Sequence, residues 1–215
     1  MRLRAFVILG LAILIALTAF PGQAQAATFT VTKTEDTFDA VCDDDCSLRD
    51  AIAAASPGDN IMIPPGTYTL TLGAQITIDK DLTLTGAGAD LTIIEAATEP
   101  DVAAFRVFTI AGSSVGISGV TIRHGNISGN GGGIWNSGSL TLTDVTVSSN
   151  IAEFGGGFRN LGTLILTNST VISNTAIVAG GGIENAFNSI VTLINTPSVI
   201  TQLIGVVASA TGIAR

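Results

Sequence analysis

The stretch Gly131-Gly132-Gly133-Ile134-Trp135-Asn136 begins a pattern that the chain repeats twice more. Gly155-Gly156-Gly157-Phe158-Arg159-Asn160 starts 24 residues later, and Gly180-Gly181-Gly182-Ile183-Glu184-Asn185 starts 25 residues after that. A period of this length is typical of a repeat architecture, in which each unit packs on the next.

The residues between the glycine triplets alternate between apolar and polar, which indicates β-strands. Leu140 and Leu142 share one face, whereas Thr141 and Thr143 share the other. Short strands that recur every 24–25 residues predict a parallel β-helix with coils about 4.8 Å apart. At roughly 22–25 residues per coil, the sequence predicts on the order of seven or eight coils in an all-β, right-handed parallel β-helix.

Stacking in register explains the asparagines of the repeat. Equivalent residues of successive coils lie above one another, so each asparagine amide can bond to the next and to the local backbone. We therefore predict that the asparagines are structural rather than sugar-binding or catalytic. One predicted ladder contains Asn136, Asn160 and Asn185, and a second contains Asn150 and Asn174.

The N-terminus has the pattern of a secretory signal peptide. A basic start at 1–4 precedes an uncharged, mostly aliphatic run over 5–20, and Ala24-Gln25-Ala26 supplies small residues for cleavage. The apolar run is shorter than the roughly 20 residues of a membrane span. We expect cleavage after Ala26, no membrane span in the mature chain, and a secreted or cell-surface location.

The charge of the chain is acidic and unevenly distributed. The net charge is −8, and loss of Arg2 and Arg4 with the signal peptide would make it −10. Because an acidic protein repels phosphate backbones, nucleic acid is not an expected partner. Glycans or other cell-surface proteins are the expected partners.

The two cysteines, Cys42 and Cys46, enclose three aspartates, residues 43–45. In an exported chain this spacing favours a disulfide. The aspartates are better interpreted as a solvated turn than as a calcium loop, and no metal or cofactor site is predicted. Ser47-Leu48-Arg49-Asp50 has the form of a helix capping box, which predicts a short helix that covers the N-terminal end of the coils.

Four segments follow from these patterns. We assign residues 1–26 to the signal peptide, 27–59 to an N-terminal cap and 60–195 to β-helix coils. Beyond residue 195 the strand pattern fades, so we expect residues 196–215 to form an irregular or truncated tail.

Three stretches resemble known families of secreted β-helix proteins. Residues 46–52, Cys-Ser-Leu-Arg-Asp-Ala-Ile, are similar to the CSLREA motif of bacterial secreted β-helix proteins, with Asp50 in place of glutamate. Residues 63–68 resemble the Ile-x-Pro-Gly-Thr-Tyr start of the first coil in pectin-lyase-like proteins. The glycine repeats resemble those of polymorphic outer-membrane proteins, whose exported regions are adhesins. The resemblance implies an exported parallel β-helix without a settled activity.

The sequence leaves two functional hypotheses open. The first is a non-enzymatic protein with a structural, adhesive or surface-binding role, for which we predict no catalytic residue. The second is a polysaccharide lyase or glycoside hydrolase of the pectin-lyase-like fold. For the second, the polar surface candidates are Arg123, His124 and Asp144, although we expect Arg123 and His124 to form a solvated corner. Trp135, the sole tryptophan, is assigned to packing rather than to sugar stacking.

Overall fold

The computed structural model describes residues 25–196, 201–203 and 207–211, and side chains only within the first of these ranges. It contains one helix, α1 (Leu48–Ala54), within these residues. The strands in chain order are β1 (Thr28–Thr30), β2 (Asn60–Ile63), β3 (Gly66–Thr69), β4 (Ile76–Ile78), β5 (Leu82–Gly86), β6 (Thr92–Glu95), β7 (Phe108–Ile110), β8 (Ser114–Ser118), β9 (Thr121–Arg123), β10 (Asn126–Asn130), β11 (Ile134–Asn136), β12 (Ser139–Thr143), β13 (Thr146–Ser148), β14 (Ile151–Phe154), β15 (Phe158–Asn160), β16 (Thr163–Thr167), β17 (Thr170–Ile172), β18 (Thr175–Ala179), β19 (Ile183–Asn185), β20 (Ile190–Ile194), β21 (Thr201–Leu203) and β22 (Val207–Thr211).

The strands form a parallel β-helix, as the repeat period predicts. Every described strand pair is parallel. Sheet A has the order β1-β2-β5-β8-β12-β16-β20-β22, sheet B β17-β13-β9-β6-β3, sheet C β21-β19-β15-β11-β7-β4, and sheet D β10-β14-β18. Crossovers between parallel strands are right-handed in almost all proteins, which is the winding expected of these turns.

The described residues contain five turns with a strand in each of sheets A, B and C, starting at β2, β5, β8, β12 and β16. The prediction of seven or eight coils is therefore too high. Two features use more chain than the repeat period allows. The cap occupies the residues between β1 and β2, and the second turn advances 33 residues, from Leu82 to its partner Val115. By contrast, the fourth turn advances 24, from Ser139 to Thr163.

The core lies inside the coils and is built from the apolar half of each alternating strand. In sheet A, Leu84, Ile117, Leu142 and Leu166 occupy one in-register column, and all four are buried. Burial of each such side chain contributes about 1.5–3 kcal/mol relative to an exposed one. Sheets B and C add their own inward columns to the same cluster.

The glycine triplets are required by close packing of the backbone. Gly131, Gly155 and Gly180 have φ of 66°, 67° and 70°, a region that side chains other than glycine rarely adopt. The second glycine of the triplet has no room for a side chain. A Cβ on Gly156 would lie 2.4 Å from the carbonyl oxygen of Thr175 and 2.5 Å from that of Gly181.

The N-terminal cap is organised around α1. Ser47 is its N-cap, and both hydrogen bonds of the predicted capping box to Asp50 are present. Leu48, Ala51 and Ile52 are buried in the same apolar cluster as the first coils. At the other end of the helix, the Lys80 ammonium donates to the carbonyls of Ala53 and Ala55 at 3.0 and 2.7 Å. The helix therefore covers the end of the coils.

Strand pairing continues past the predicted end of the coils. β21 pairs with β19, and β22 pairs with β20, both in parallel. β21 and β22 thus extend the parallel backbone pairing beyond residue 195, where the alternation of side chains becomes weak.

The predicted signal peptide over 1–26 falls almost wholly outside the described residues. Among the residues that the structure does describe, no helix has the length and apolar character needed to cross a membrane.

Candidate functional site

Sheet A presents a surface of hydroxyl groups. None of its eight strands contains an aspartate, glutamate, lysine or arginine. Because alternate residues face outward, the outer side of β5, β8, β12 and β16 is mostly threonine and serine. We call this surface the hydroxyl face; its members are Thr83, Thr85, Ser114, Ser118, Ser139, Thr141, Thr143, Thr163 and Thr167.

The hydroxyl face is regular in two directions. Thr85, Ser118, Thr143 and Thr167 are paired in register across four consecutive turns. Neighbouring strands lie about 4.8 Å apart, and alternate residues of one strand about 6.6 Å apart. Gly116 and Ile165 interrupt the parallel column of Thr83 and Thr141.

The first asparagine ladder runs inside the bend between sheets C and A. The Asn136 amide donates to Asn160 Oδ1 at 2.7 Å, and the Asn160 amide donates to Asn185 Oδ1 at 2.6 Å. All three side chains are fully buried. Each also bonds to the nearby backbone, as when Asn185 donates to the carbonyl of Ser189 at 3.0 Å. These side chains satisfy the backbone of the bend and leave no polar group for a ligand.

The second ladder lies at the bend that follows sheet B. The Asn150 amide donates to Asn174 Oδ1 at 2.9 Å, and Asn150 Oδ1 accepts from the Gly125 backbone at 2.9 Å. The Asn174 amide donates to the carbonyl of Val147 at 2.8 Å. This column is structural as well.

The N-terminal cap contains both cysteines and the aspartates between them. Cys42 and Cys46 form a disulfide. Asp45 pairs with Lys33 at 2.8 Å, and this hydrogen bond raises the pKa of the lysine. Among the described residues no group of three or more His, Cys, Asp or Glu side chains is arranged to hold a metal ion.

A cleft of about 430 Å³ separates the cap from β4. Phe38 and Leu72 form its exposed apolar walls. Its cations are already engaged: Arg49 pairs with Asp36 and donates to the carbonyl of Gln75 at 3.1 Å, and Lys80 caps α1. The polar groups of this cleft therefore hold the cap on the first coil.

Arg123 and His124 form a polar cluster with Glu95, in which Glu95 and His124 are buried and Arg123 is half-buried, not the solvated corner that the sequence predicts. Glu95 is buried on the outer face of sheet B, where it pairs with Arg123 at 2.7 Å and accepts from Thr69 at 2.8 Å. His124 Nδ1 lies 2.9 Å from the carbonyl oxygen of Ala97 and 3.7 Å from Glu95 Oε2. Because a carbonyl oxygen can only accept a hydrogen bond, the contact with Ala97 requires that Nδ1 carries a proton. Among the described residues Nε2 makes no hydrogen bond.

Asp144 lies apart from this cluster. It occupies the corner between β12 and β13 with φ of 54°, in register with Asn168 of the next turn at φ of 50°. Asp and Asn tolerate this left-handed region better than other side chains, and the exposed Asp144 is therefore a corner residue. The structure brings Arg123 and His124 together but leaves Asp144 at a different bend.

A row of larger polar and aromatic side chains marks the outer face of sheet C. Thr77, Thr109, Trp135, Arg159 and Glu184 follow one another in register on consecutive strands. Arg159 forms an ion pair with Glu184.

Two arginines, Arg159 in this row and Arg106 beside it, lie over aromatic rings. The Arg159 guanidinium lies 5.8 Å from the Phe154 ring centroid, and that of Arg106 lies 6.0 Å from the Trp135 centroid. Burial lowers the pKa of both arginines, which nevertheless stay protonated. Trp135 thus contacts a cation on the outside of the coils.

Sequence reasoning missed Glu95, and it did not distinguish Arg106 from other polar residues. Glu95 is the last residue of β6 and follows two isoleucines. Alternation along the strand indicates that its side chain faces outward, but nothing in the local sequence indicates that it is buried. Arg106 aligns with Gly132 and Gly156 of later turns, so a register alignment would have singled it out.

No protein-family model matches the chain, and no curated protein matches it either. Two solved structures are similar in chain path. One is a pectin methylesterase variant in complex with a hexasaccharide, at 17% identity and a TM-score of 0.42, covering 80% of this chain and 66% of that one. The other is pectin methylesterase PemA from Erwinia chrysanthemi, at 14% identity and a TM-score of 0.40, covering 88% of this chain and 90% of that one.

Neither similarity identifies a substrate or a reaction for this chain. The present chain also spans slightly less than two thirds of the first of these structures. The protein is an all-β parallel β-helix.

Proposed function

We propose that this is an exported, non-catalytic binding protein that attaches to a surface through the hydroxyl face. The observation that carries this proposal is the absence of charged side chains from all eight strands of sheet A, whose outer positions are mostly threonine and serine in register. Charged residues lie instead on other sheets, as Glu95 and Arg123 on sheet B and Arg159 and Glu184 on sheet C.

A regular array of hydroxyl and methyl groups is complementary to a ligand that is itself uncharged and repetitive. Neutral polysaccharide surfaces have this chemistry, because they expose hydroxyl groups beside apolar C–H faces. Each single contact is weak, but many simultaneous contacts on one rigid surface add their effects. The strands are held by the coils before binding, so little conformational entropy is lost.

The carboxylates on the other faces support a binding role over acid–base chemistry. Glu95 is paired with Arg123, and Glu184 with Arg159. Each of these carboxylates is thus already engaged by a guanidinium of the coils. We therefore assign these pairs to the stability of the coils.

Adsorption to insoluble polysaccharides tests the proposal. The purified chain is incubated with cellulose, chitin and isolated cell walls, and the bound fraction is measured against concentration. Thr143→Glu places a charge on the hydroxyl face, in the column of Thr85, Ser118, Thr143 and Thr167, while Thr146→Glu places the same charge on the outer face of sheet B. We expect Thr143→Glu to weaken adsorption at least tenfold and Thr146→Glu to leave it unchanged.

Two results would contradict this function. One is no adsorption of the folded wild type to any of these surfaces. The other is an equal loss in both variants, which would indicate a general charge effect. Export is tested separately by sequencing the N-terminus of the secreted protein, which should begin at Ala27.

The Glu95–Arg123–His124 cluster supports a second candidate, a lyase or hydrolase that acts on acidic glycans. The specific observation is that His124 has its Nδ1 fixed by the Ala97 carbonyl and its Nε2 unpaired among the described residues. An oriented imidazole of this kind can accept a proton.

The test of catalysis uses polygalacturonate and other acidic glycans, with and without calcium, and follows unsaturated product by absorbance. His124→Asn is the informative variant, since asparagine tolerates the φ of 60° at this corner. Turnover that this substitution abolishes would replace the binding proposal with the enzymatic one.

A further inference from the structure

Arg106 differs from the other arginines of the described residues because no carboxylate pairs with it. Arg49 pairs with Asp36, Arg123 with Glu95 and Arg159 with Glu184. Arg106 lies two residues before the start of β7, at the side of the sheet C row. It is thus a cation without a counter-charge in the part of the chain that the structure describes.

Two neighbours hold the Arg106 guanidinium in place. Its Nη1 donates to Thr109 Oγ1 at 3.2 Å, and its planar group lies 6.0 Å from the centroid of the Trp135 ring. Nε is buried without a hydrogen-bond partner. An unsatisfied buried donor is unfavourable, so the contact with Trp135 and the hydrogen bond to Thr109 must offset it.

The outer end of the guanidinium remains available. Nη2 has no partner among the described residues, and unlike Nε it is not buried. Nη1 and Nη2 together present a fork of N–H donors, the arrangement that binds planar oxyanions with two parallel hydrogen bonds.

The position of Arg106 in the repeat shows that the coils do not need this cation. Phe108 pairs with Ile134, so Arg106 aligns with Gly132, and Gly132 in turn aligns with Gly156. At both glycines a Cβ would collide with backbone carbonyl oxygens of neighbouring segments. The second turn departs from the glycine column and carries an arginine on its outside, a local departure of the kind that marks functional sites.

We propose that Arg106, with Thr109 and Trp135, binds a single oxyanion carried by a sugar, either the carboxylate of a uronic acid or a sulfate ester. The fork of Nη1 and Nη2 takes the oxyanion. The Trp135 ring offers an aromatic surface for the apolar face of the sugar. One unpaired cation matches one negative charge. This site lies on sheet C, so it is separate from the hydroxyl face and goes beyond the proposed attachment to neutral surfaces.

The sole tryptophan of the chain lies in the proposed site, so its fluorescence reports on binding. The full chain is titrated with glucuronate, with glucose 6-sulfate and with glucose. We expect saturable changes with one or both anionic sugars that weaken as salt is added, and no saturation with glucose at the same concentrations. If only glucuronate changes the fluorescence, the ligand group is a carboxylate. If only glucose 6-sulfate changes it, the ligand group is a sulfate ester.

Arg106→Gln should weaken the response at least tenfold. Lys33→Gln, which removes a cation from the cap, should leave it unchanged. Far-UV circular dichroism and thermal melting check that each variant is folded, and Thr109→Val is the alternative if Arg106→Gln does not fold. No response to either anionic sugar, an equal response to glucose, or an equal loss in Lys33→Gln would overturn the proposal. Thr143→Glu leaves the Arg106 site intact. A failure of anionic sugars to bind can therefore be distinguished from a failure of the chain to adsorb through the hydroxyl face.

Discussion

The amide of Asn160 donates a 2.6 Å hydrogen bond to Oδ1 of Asn185, one turn further along the β-helix. The same amide also donates to the carbonyls of Gly162 and Ile190, and Asn160 Oδ1 accepts from Asn136. One fully buried side chain thus joins three turns and satisfies the backbone of a bend.

Asn160→Ala should destabilise the protein by about 2–4 kcal/mol, because it leaves several buried donors and acceptors without partners. The measurement is the free energy of unfolding from urea titration. Asn126→Ala is the matched control: its side chain bonds only to the exposed Asp101, and we expect a change below about 0.5 kcal/mol. Equal effects of the two substitutions would show that the ladder adds no stability.

Gly156→Ala should destabilise the protein by about 3 kcal/mol or more, since the new methyl group would meet two backbone oxygens that cannot move independently. Gly129→Ala is the control, with no heavy atom nearer than 3.9 Å to the added Cβ. Melting temperature and soluble yield are the measurements. A stable, well-expressed Gly156→Ala protein would contradict the close packing of the glycine triplets.

Reduction of the Cys42–Cys46 disulfide should cost about 2 kcal/mol by the chain-entropy relation for a loop this short. The measurement compares urea unfolding with and without a reductant. Cys42 and Cys46 are the only cysteines, so the doubly substituted serine variant should reproduce the effect and become insensitive to reductant. Sensitivity to reductant in that variant would indicate a different cause.

The cap should lose stability in acid through Asp50. Burial alone would raise the pKa of this carboxyl, but hydrogen bonds from Ser47, Asp39 and Ala40 outweigh it and hold the pKa below its usual 3.8. A pKa that is lower in the folded state stabilises the protein above about pH 4, and this contribution is lost as the pH falls through the folded pKa.

Asp50→Asn should therefore lower stability by about 1.5–3 kcal/mol at pH 7 and by much less near pH 2. Thermal melting across this pH range measures the difference, with the exposed Asp90→Asn as control. A constant difference between wild type and Asp50→Asn at all pH values would contradict this assignment.

Most of the fold could be predicted from particular residues. The glycine triplets with their 24- and 25-residue spacing indicate the stacking, the alternation of Leu140 to Thr143 indicates the strands, and Ser47 with Asp50 indicates the helix start. These features are local or strictly periodic, so they can be read without knowledge of distant contacts. The number of turns could not be derived, because the second turn is longer than the period.

The sequence by itself determined the stacking direction of the chain, the columns of asparagine and glycine, and the place of the cap. Each follows from a repeat that brings equivalent residues together. Only the tertiary structure decided that Glu95 is buried against Arg123 and that Arg106 stands without a carboxylate beside Trp135. These contacts join residues about one turn apart, and their burial depends on which loop covers the outer face, which no local pattern of residues specifies.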